Sequence, residues 1–313
     1  MTDRLIVVRG GQRLSGTVAV RGAKNSVLKL MAASLLANGS STILNVPYIS
    51  DVLVMKSVLE HLGAMVRFDA GRLSIDASSV CSWDTPYELV NQMRASTAVL
   101  GPLLGRFGQA QVAMPGGCQI GTRKMDMHFT GLEALGARFE FTHGVINASV
   151  GPKGLRGAEV ALEFPSVGAT ENLMVAAACA SGGTRIENAA REPEIVDLAE
   201  FLIAMGAKIS GAGSPVIEIQ GSDRFEPVSG HQTVGDRNEA GTFLAAGALT
   251  AGPLTVTGAN PDHLALPLAK LREFGCDLRC SQDSITVSRR GELIATDIQT
   301  LPYPGFPTDL QPQ

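Results

Sequence analysis

The chain is poor in cysteine, in aromatic residues and in long apolar runs, and each shortage removes a class of protein. Its five cysteines, Cys81, Cys118, Cys179, Cys276 and Cys280, are odd in number and form no CxxC pair, which speaks against a structural zinc site and a disulfide framework. No apolar run approaches the roughly 18 residues that a bilayer span needs. The opening MTDRLIVVRGG has only a short apolar patch and no small-residue cleavage site. The expectation is a cytoplasmic protein with reduced thiols and no membrane insertion. Lysine and arginine number 26 against 30 acidic residues, and a net charge of −4 argues against a general nucleic-acid binder. GxGxxG, P-loop and HExxH patterns are missing, so nicotinamide, ATP and metalloprotease readings have no support. No cofactor and no metal are expected.

What the chain has is apolar residues and glycine. With 313 residues, 45% hydrophobic and 18% charged, it can bury the cores of roughly two domains. Its 35 glycines imply many tight turns between short elements.

The sequence also repeats itself. LEHLGAMVRF, LEALGARFEF, LIAMGAKIS and LREFGCDLRC share an apolar helical stripe, a glycine and an alternating strand, with Gly63, Gly136, Gly206 and Gly275 spaced 73, 70 and 69 residues apart. Each predicts a helix capped by a left-handed glycine, then a period-2 strand that puts Ala64, Val66 and Phe68 on one face and Met65 and Arg67 on the other. Upstream of each lies another strand–helix–strand, so the unit reads β-α-β-α-β-β over about 70 residues. The first helices are rich in Ala and Leu with little charge, which predicts an α/β fold with helices inside and sheets outside. By this register Pro307-Thr308-Asp309 opens a further buried helix, yet the sequence stops at Gln313. The expectation is a chain whose remainder lies outside this sequence.

Several helix-opening loops are more polar than packing requires. Lys24 and Asn25 stand at the start of an apolar helix, where unpaired N–H groups already attract anions, so a lysine there calls for a bound anion. Arg94 occupies a similar opening and offers a planar fork for phosphate or carboxylate. Cys118 sits in a glycine-flanked loop with Arg123 and Lys124 close behind, and neighbouring cations favour its reactive thiolate. Cys179, within AAACAS, reads as a small buried hydrophobe. Phe164 to Thr170 provides hydroxyls and amides suited to phosphate oxygens, or simply a helix cap. Asp309 is a capping carboxylate or a general base. Asp236-Arg237-Asn238-Glu239 reads as a structural charge network.

GAKNSVLKL, PGGCQIGTRKMDMH, EFPSVGATEN, AAREPEIVDL and YPGFPTDLQP together closely resemble the UDP-N-acetylglucosamine 1-carboxyvinyltransferase family, the UDP-N-acetylglucosamine enolpyruvyl transferases, across the whole chain. The resemblance implies two domains, each an inside-out α/β barrel of three repeats. Here residues 22–233 form the complete domain and 1–21 with 234–313 an incomplete second one. It implies transfer of the enolpyruvyl group of phosphoenolpyruvate to the 3′-hydroxyl of UDP-N-acetylglucosamine, the first committed step of peptidoglycan synthesis, with no obligate protein partner. By resemblance Lys24 and Asn25 meet both substrates and Arg94 binds the sugar nucleotide. Arg123, Lys124, Met125, Asp126 and Met127 line the uridine pocket, and Ser166, Val167 and Gly168 hold the diphosphate. Cys118 matches the cysteine that protonates the methylene carbon, and Asp309 the carboxylate that takes the hydroxyl proton.

Lys124 departs from the proline commoner in the family, and the family carries further phosphate-clamping arginines beyond the position of Gln313. The corresponding expectation is that 1–313 aggregates, keeps a protease-resistant core near 22–233, binds sugar nucleotide weakly and turns over undetectably. Two alternatives stand beside this reading. One is 3-phosphoshikimate 1-carboxyvinyltransferase, which shares the fold and the phosphoenolpyruvate chemistry but not the Cys118 loop. The other is a non-catalytic sugar-nucleotide-binding protein.

Overall fold

A computed structural model of the chain describes residues 5–90, 94–114 and 125–313. The chain divides into two compact units, a larger one, Gly22–Val234, and a smaller one, Met1–Arg21 with Gly235–Gln313. Each has its own hydrophobic core. Strand β1 (Gly16–Ala19) belongs to the smaller unit. The first repeat of the larger unit holds α1 (Lys24–Ala33), β2 (Ser40–Leu44), α2 (Ser50–His61), β3 (Met65–Asp69) and β4 (Arg72–Asp76). The second holds the single-turn α3 (Tyr87–Val90), α4 (Leu100–Phe107), β5 (Gln109–Ala113), α5 (Asp126–Ala134), β6 (Ala137–Thr142) and β7 (Val145–Val150). The third holds β8 (Glu159–Ala161), α6 (Val167–Ala178), β9 (Gly183–Glu187), α7 (Pro193–Ala204), β10 (Lys208–Ser210) and β11 (Val216–Gln220), after which comes β12 (Ser229–Gln232). The smaller unit continues with α8 (Arg237–Thr250), β13 (Pro253–Thr257), α9 (Ala265–Glu273), β14 (Asp277–Cys280) and β15 (Ser284–Ser288).

The four repeat glycines end α2, α5, α7 and α9 with φ of +104°, +98°, +107° and +91°, the left-handed region that a side chain would strain. After α2, α7 and α9 the next residue closes the cap: Ala64, Ala207 and Cys276 donate backbone N–H bonds to Leu59, Leu202 and Leu271. In β3 Val66 is buried while Met65 and Arg67 are exposed, as the alternation requires. The second repeat differs from the simple pattern in two places. A single parallel bridge, Asp84 to Gln111, stands where the other sheets have a full first strand, because Pro86 follows with no N–H to donate. The segment opened by Arg94 is a 3-10 helix to Val99 before α4 begins. Pro102 explains this, since its ring is compatible only with the first turn of an α-helix.

The sheets of the larger unit run β12-β2-β4-β3, β5-β7-β6 and β10-β11-β9-β8. Each buries one face; Ile43, Leu73 and Ile75 are the buried set in the first. α6 is buried along its whole length from Ala169 to Ala178, with α4, α5 and α7 packed around it, so the helices form the interior. The second helices are not uniformly the more exposed ones. α7 buries Ile195, Leu198, Phe201 and Leu202 together with Glu194 and Asp197, because it packs against both α1 and α6.

The strands β1 and β12 exchange places. β1 leads in sequence into α1 yet pairs in parallel with β13, in the order β1-β13-β15-β14. β12 leads into α8 yet pairs in parallel with β2. Where the chain changes unit, the Ala23 N–H donates to Val234 O at 2.7 Å within the larger unit. In the smaller unit the Asp236 N–H donates to Arg21 O at 2.8 Å.

Candidate active site

In the larger unit, α1 and α6 begin where the sequence placed its polar loops. Ala23 offers α1 no side-chain cap, and Lys24 is its first residue. The Lys24 ammonium lies 3.1 Å from Asp51 Oδ2, in the first turn of α2. The anion that a lysine at this helix start calls for is therefore partly supplied by the protein itself, and the carboxylate also suits the positive end of α2. Asn25 is half-buried beside Lys24.

Ser166 caps α6, its hydroxyl accepting from the Ala169 N–H at 3.4 Å, and Val167 and Gly168 remain partly open to solvent. The His128 ring lies against Gly168 so closely that a Cβ there would stand 3.1 Å from Cε1 and Nε2. His128 is in the first turn of α5, so this contact brings Met125, Asp126 and Met127 to the start of α6. Met125 is buried, Met127 packs on the core and Asp126 is exposed. Asn172, itself buried, fixes the arrangement: its Nδ2 donates to His128 Nδ1 at 3.0 Å, and its Oδ1 accepts from the Gly101 N–H of α4 at 3.4 Å. The backbone of Arg94 opens the 3-10 segment that packs against α1 and α6. Its side chain, and Cys118, Arg123 and Lys124 entirely, lie outside the described residues.

In the smaller unit Asp309 lies in a 3-10 turn, Thr308–Leu310, short of the helix that the register predicts. Asn238 Nδ2 donates to its Oδ2 at 3.3 Å. Buried Leu310 seats the turn on α8 at Gly241, where a Cβ would come within 2.6 Å of the leucine. The run from Asp236 to Glu239 is the charge network its composition predicts. Asp236 caps α8 by accepting from the N–H groups of Asn238 and Glu239, and Glu239 accepts from the Arg21 N–H at 3.0 Å. The buried Arg237 guanidinium stands 5.3 Å from the Tyr303 ring centre.

The sequence profile of the EPSP synthase (3-phosphoshikimate 1-carboxyvinyltransferase) family matches residues 8–313. The chain is 51% identical over 306 residues to the UDP-N-acetylglucosamine 1-carboxyvinyltransferase of Corynebacterium jeikeium, covering 98% of this chain and 72% of that protein. It is also 51% identical over 312 residues to the protein of the same name from Mycobacterium leprae, covering 100% of this chain and 74% of that one. The chain belongs to the UDP-N-acetylglucosamine 1-carboxyvinyltransferase family. The enolpyruvyl transferase NikO of Streptomyces tendae superposes with a TM-score of 0.85 at 23% identity, over 97% of this chain and 72% of that one. EPSP synthase of Acinetobacter baumannii superposes at 0.69 and 16% identity, over 89% and 64%. These two likenesses establish the shared enolpyruvyl transferase fold.

Several polar partners were not evident from the sequence: Asp51, His128, Asn172, Asn238, and a buried pair formed by Lys29 and Glu171. The Lys29 Nζ lies 2.5 Å from Glu171 Oε2. Burial pushes the Glu171 carboxyl up to about 7, against the pull of Lys29 and with Glu194 and Glu192 adding to the rise. Glu171 had a visible signal, as the one charge on a helix that otherwise reads as core. Burial likewise pushes the Cys179 thiol up to about 12, in keeping with the inert role its apolar neighbours suggest. No helix among the described residues is long and apolar enough to cross a membrane.

Proposed function

We propose that the chain transfers the enolpyruvyl group of phosphoenolpyruvate to the 3′-hydroxyl of UDP-N-acetylglucosamine, releasing phosphate, in the cytoplasm and as the first committed step of peptidoglycan synthesis. Relatives half identical across the whole chain carry the name of this activity. The observation that carries the reading is the meeting, through His128 and Gly168, of the residues 125–127 with the open, Ser166-capped start of α6. A helix start with unpaired N–H groups suits a diphosphate, and the adjoining turn of α5 suits the nucleoside attached to it. Lys24 and Asn25 at α1, with Arg94, supply cation and amide to phosphate and carboxylate oxygens.

The reaction adds an alcohol across an enol phosphate and then expels phosphate. The 3′-oxygen bonds to the phosphate-bearing carbon while a proton goes to the methylene carbon; phosphate then leaves with a proton from that carbon, restoring the double bond. Cys118 is assigned the proton delivery and Asp309, held by Asn238, the removal of the hydroxyl proton. Lys24 offsets the charge on the leaving phosphate, and Arg94 binds the sugar nucleotide.

The test is phosphate release from phosphoenolpyruvate, by the chain extended to the full length of its relatives, with UDP-N-acetylglucosamine or shikimate 3-phosphate as acceptor, alongside calorimetric binding of each. Release with the sugar nucleotide alone is expected. Release with shikimate 3-phosphate favours the sister reaction. Tight sugar-nucleotide binding without release from either acceptor favours a non-catalytic binding protein.

A further inference from the structure

α1 begins without a side-chain cap, because Ala23 offers none, so the placing of Lys24 and Asn25 depends on what holds the turn from outside. One buried carboxylate holds it from both sides. Ser26, the third residue of α1 and wholly buried, donates its hydroxyl to Asp197 Oδ2. The same oxygen accepts the Val234 N–H at 3.2 Å, and the Val234 carbonyl in turn accepts the Ala23 N–H at 2.7 Å. Ala23 and Ser26 flank Lys24 and Asn25, so these bonds close a ring around that dipeptide with Asp197 at its far side. Asp197 itself lies one turn into α7, which packs on α1. Its other oxygen accepts from His231 Nε2 at 2.8 Å, and Phe201, one turn further along α7, meets the same imidazole edge to face at 5.2 Å. His231 reaches this place through a bulge in β12. Ser229 stands opposite Thr42 and His231 opposite Ile43, with Gly230 between them at φ +92°. Without the extra residue, Gly230 would face the core beside buried Ile43 and His231 would turn outward. Three donors from α1, β12 and the residues just after it thus converge on one carboxylate, all within the larger unit. The serine bonds to the carboxylate and not to the imidazole, so the cluster holds no activated nucleophile.

We propose that Asp197 is a positioning residue for phosphoenolpyruvate binding: through Ser26 and Val234 it fixes the turn that presents Lys24 and Asn25, without touching the ligand itself. This rests on the reading of the α1 start as the place where phosphoenolpyruvate meets Lys24 and Asn25. A capping side chain of α1's own would stand among the N–H groups that an anion needs. Support from α7, behind the turn, holds the helix start in place and leaves its end to the ligand. A buried carboxylate with three donors is a stiff anchor, since each bond is charge-assisted and shielded from water. His231 completes it by holding the oxygen that Ser26 and Val234 do not use, so the carboxylate cannot turn away from them. A misplacement of about 1 Å can cost a site as much as a hundredfold. Loss of this anchor therefore reaches the ligand through Lys24 and Asn25.

The experiment is calorimetric titration with phosphoenolpyruvate of the chain extended to the full length of its relatives, with urea unfolding of each variant alongside. Asp197→Ala should weaken binding about tenfold and Ser26→Ala about threefold, as loss of a shared anchor and of one of its bonds. Ser26→Ala added to Asp197→Ala should have no further effect, because Ser26 acts only through the carboxylate. Asp197→Asn keeps an oxygen that accepts from Ser26 and Val234, and should bring the affinity back to within about twofold of the parent. A purely structural role would lower the urea midpoint and leave the affinity of the folded variants at the parent value. Parent affinity in folded Ser26→Ala and Asp197→Ala overturns the proposal, as do additive losses in the double variant or an Asp197→Asn no better than Asp197→Ala. If Asp197→Ala does not fold, Ser26→Ala and Asp197→Asn decide: parent affinity in the first, or a tenfold loss in the second, overturns the proposal. Lys24→Met separates the two readings. Should it leave the affinity unchanged, or should the unsubstituted chain bind no phosphoenolpyruvate, the assignment of the α1 start falls. Should it weaken binding while Ser26→Ala and Asp197→Ala do not, the role of Asp197 alone falls.

Discussion

Lys24 and Asp51 form a 3.1 Å ion pair between the first turns of α1 and α2, and their side chains are 48% and 32% exposed. A pair this wet contributes under about 1 kcal/mol to stability. Its consequence is for ligands, because any incoming anion competes with Asp51 for the ammonium. Asp51→Asn should leave the melting temperature almost unchanged and tighten phosphoenolpyruvate binding by up to about fivefold, the equivalent of 1 kcal/mol. Lys24→Met should weaken it at least about tenfold, as loss of a charge-assisted contact does. Equal affinities in the parent and both variants would remove Lys24 from the site.

The carboxyl of Glu171 makes the stability of the chain pH-dependent in a direction opposite to that of a paired surface carboxylate. Its ordinary value of 4.5 is raised to about 7 in the folded chain, chiefly by burial. The folded form therefore holds the proton more tightly than the unfolded one across that interval. Its contribution to stability is complete below about 4.5 and is lost as pH rises through about 7. Replacing it by glutamine removes this dependence. The melting temperature of Glu171→Gln minus that of the parent should rise between pH 4.5 and pH 8, by on the order of 5 °C. A difference that stays flat or falls over that range contradicts the assignment.

What could be read from the sequence was local, and what could not was the pairing of distant residues. Gly63, Gly136, Gly206 and Gly275 announce helix ends because a left-handed cap needs only its own turn. Ser166 announces a helix start for the same reason. Asp51 is 27 residues from Lys24, and Glu171 is 142 from Lys29, so neither partner follows from any spacing within an element. The exchange of β1 and β12 is hidden more thoroughly. Each is followed by a glycine and a polar helix opening of the same kind, and only the sheet it joins differs. The family resemblance carried that division of the chain where periodicity could not. The Cys118 loop was the most specific motif in the sequence, and it lies outside the described residues.

Asn172 should prove a hub of the larger unit. It holds His128 of α5 and the Gly101 N–H of α4 from a position 4% exposed on α6. Asn172→Ala removes a hydrogen-bond partner from the buried Gly101 N–H and from the His128 ring, at a cost of about 1–3 kcal/mol. The midpoint of urea unfolding should fall accordingly. Sugar-nucleotide affinity should fall further than in His128→Gln, which keeps one amide to meet Asn172. Unchanged unfolding in Asn172→Ala would mean that these contacts are not maintained in solution.

The thiols should separate by environment. Cys179 and Cys276 have their thiols pushed up by burial, Cys179 to about 12, and should react slowly. Cys81 and Cys280 are exposed but lack the glycine-flanked, cation-rich sequence around Cys118. Peptide mapping after brief treatment with the epoxide fosfomycin, in the presence of UDP-N-acetylglucosamine, should therefore find the adduct on Cys118. A principal adduct on Cys81, Cys179 or Cys280 would show that accessibility, rather than the cations Arg123 and Lys124, governs reactivity. In a chain completed to the length of its relatives, Cys118→Ala should suppress turnover more than sugar-nucleotide binding.

The last prediction concerns the point where the chain enters the larger unit. Gly22 donates its N–H to Asn45 O at 2.9 Å, and an added Cβ would stand 2.1 Å from that same oxygen and 2.9 Å from Thr233 Cβ. The obstacle is backbone on one side and a β-branched side chain on the other, so no flexible tip can swing away. Gly22→Ala must push the start of α1 off either β2 or the end of β12, which loosens the very turn that presents Lys24 and Asn25. The expected cost is about 1–3 kcal/mol, as for other overpacked sites, together with weaker phosphoenolpyruvate binding. Gly151→Ala is the matched control, since nothing lies within 4 Å of its added Cβ, and its unfolding free energy from urea titration should stay within about 0.5 kcal/mol of the parent. If Gly22→Ala behaved like Gly151→Ala in both measurements, the close crossing of these strands at Gly22 would not exist in solution.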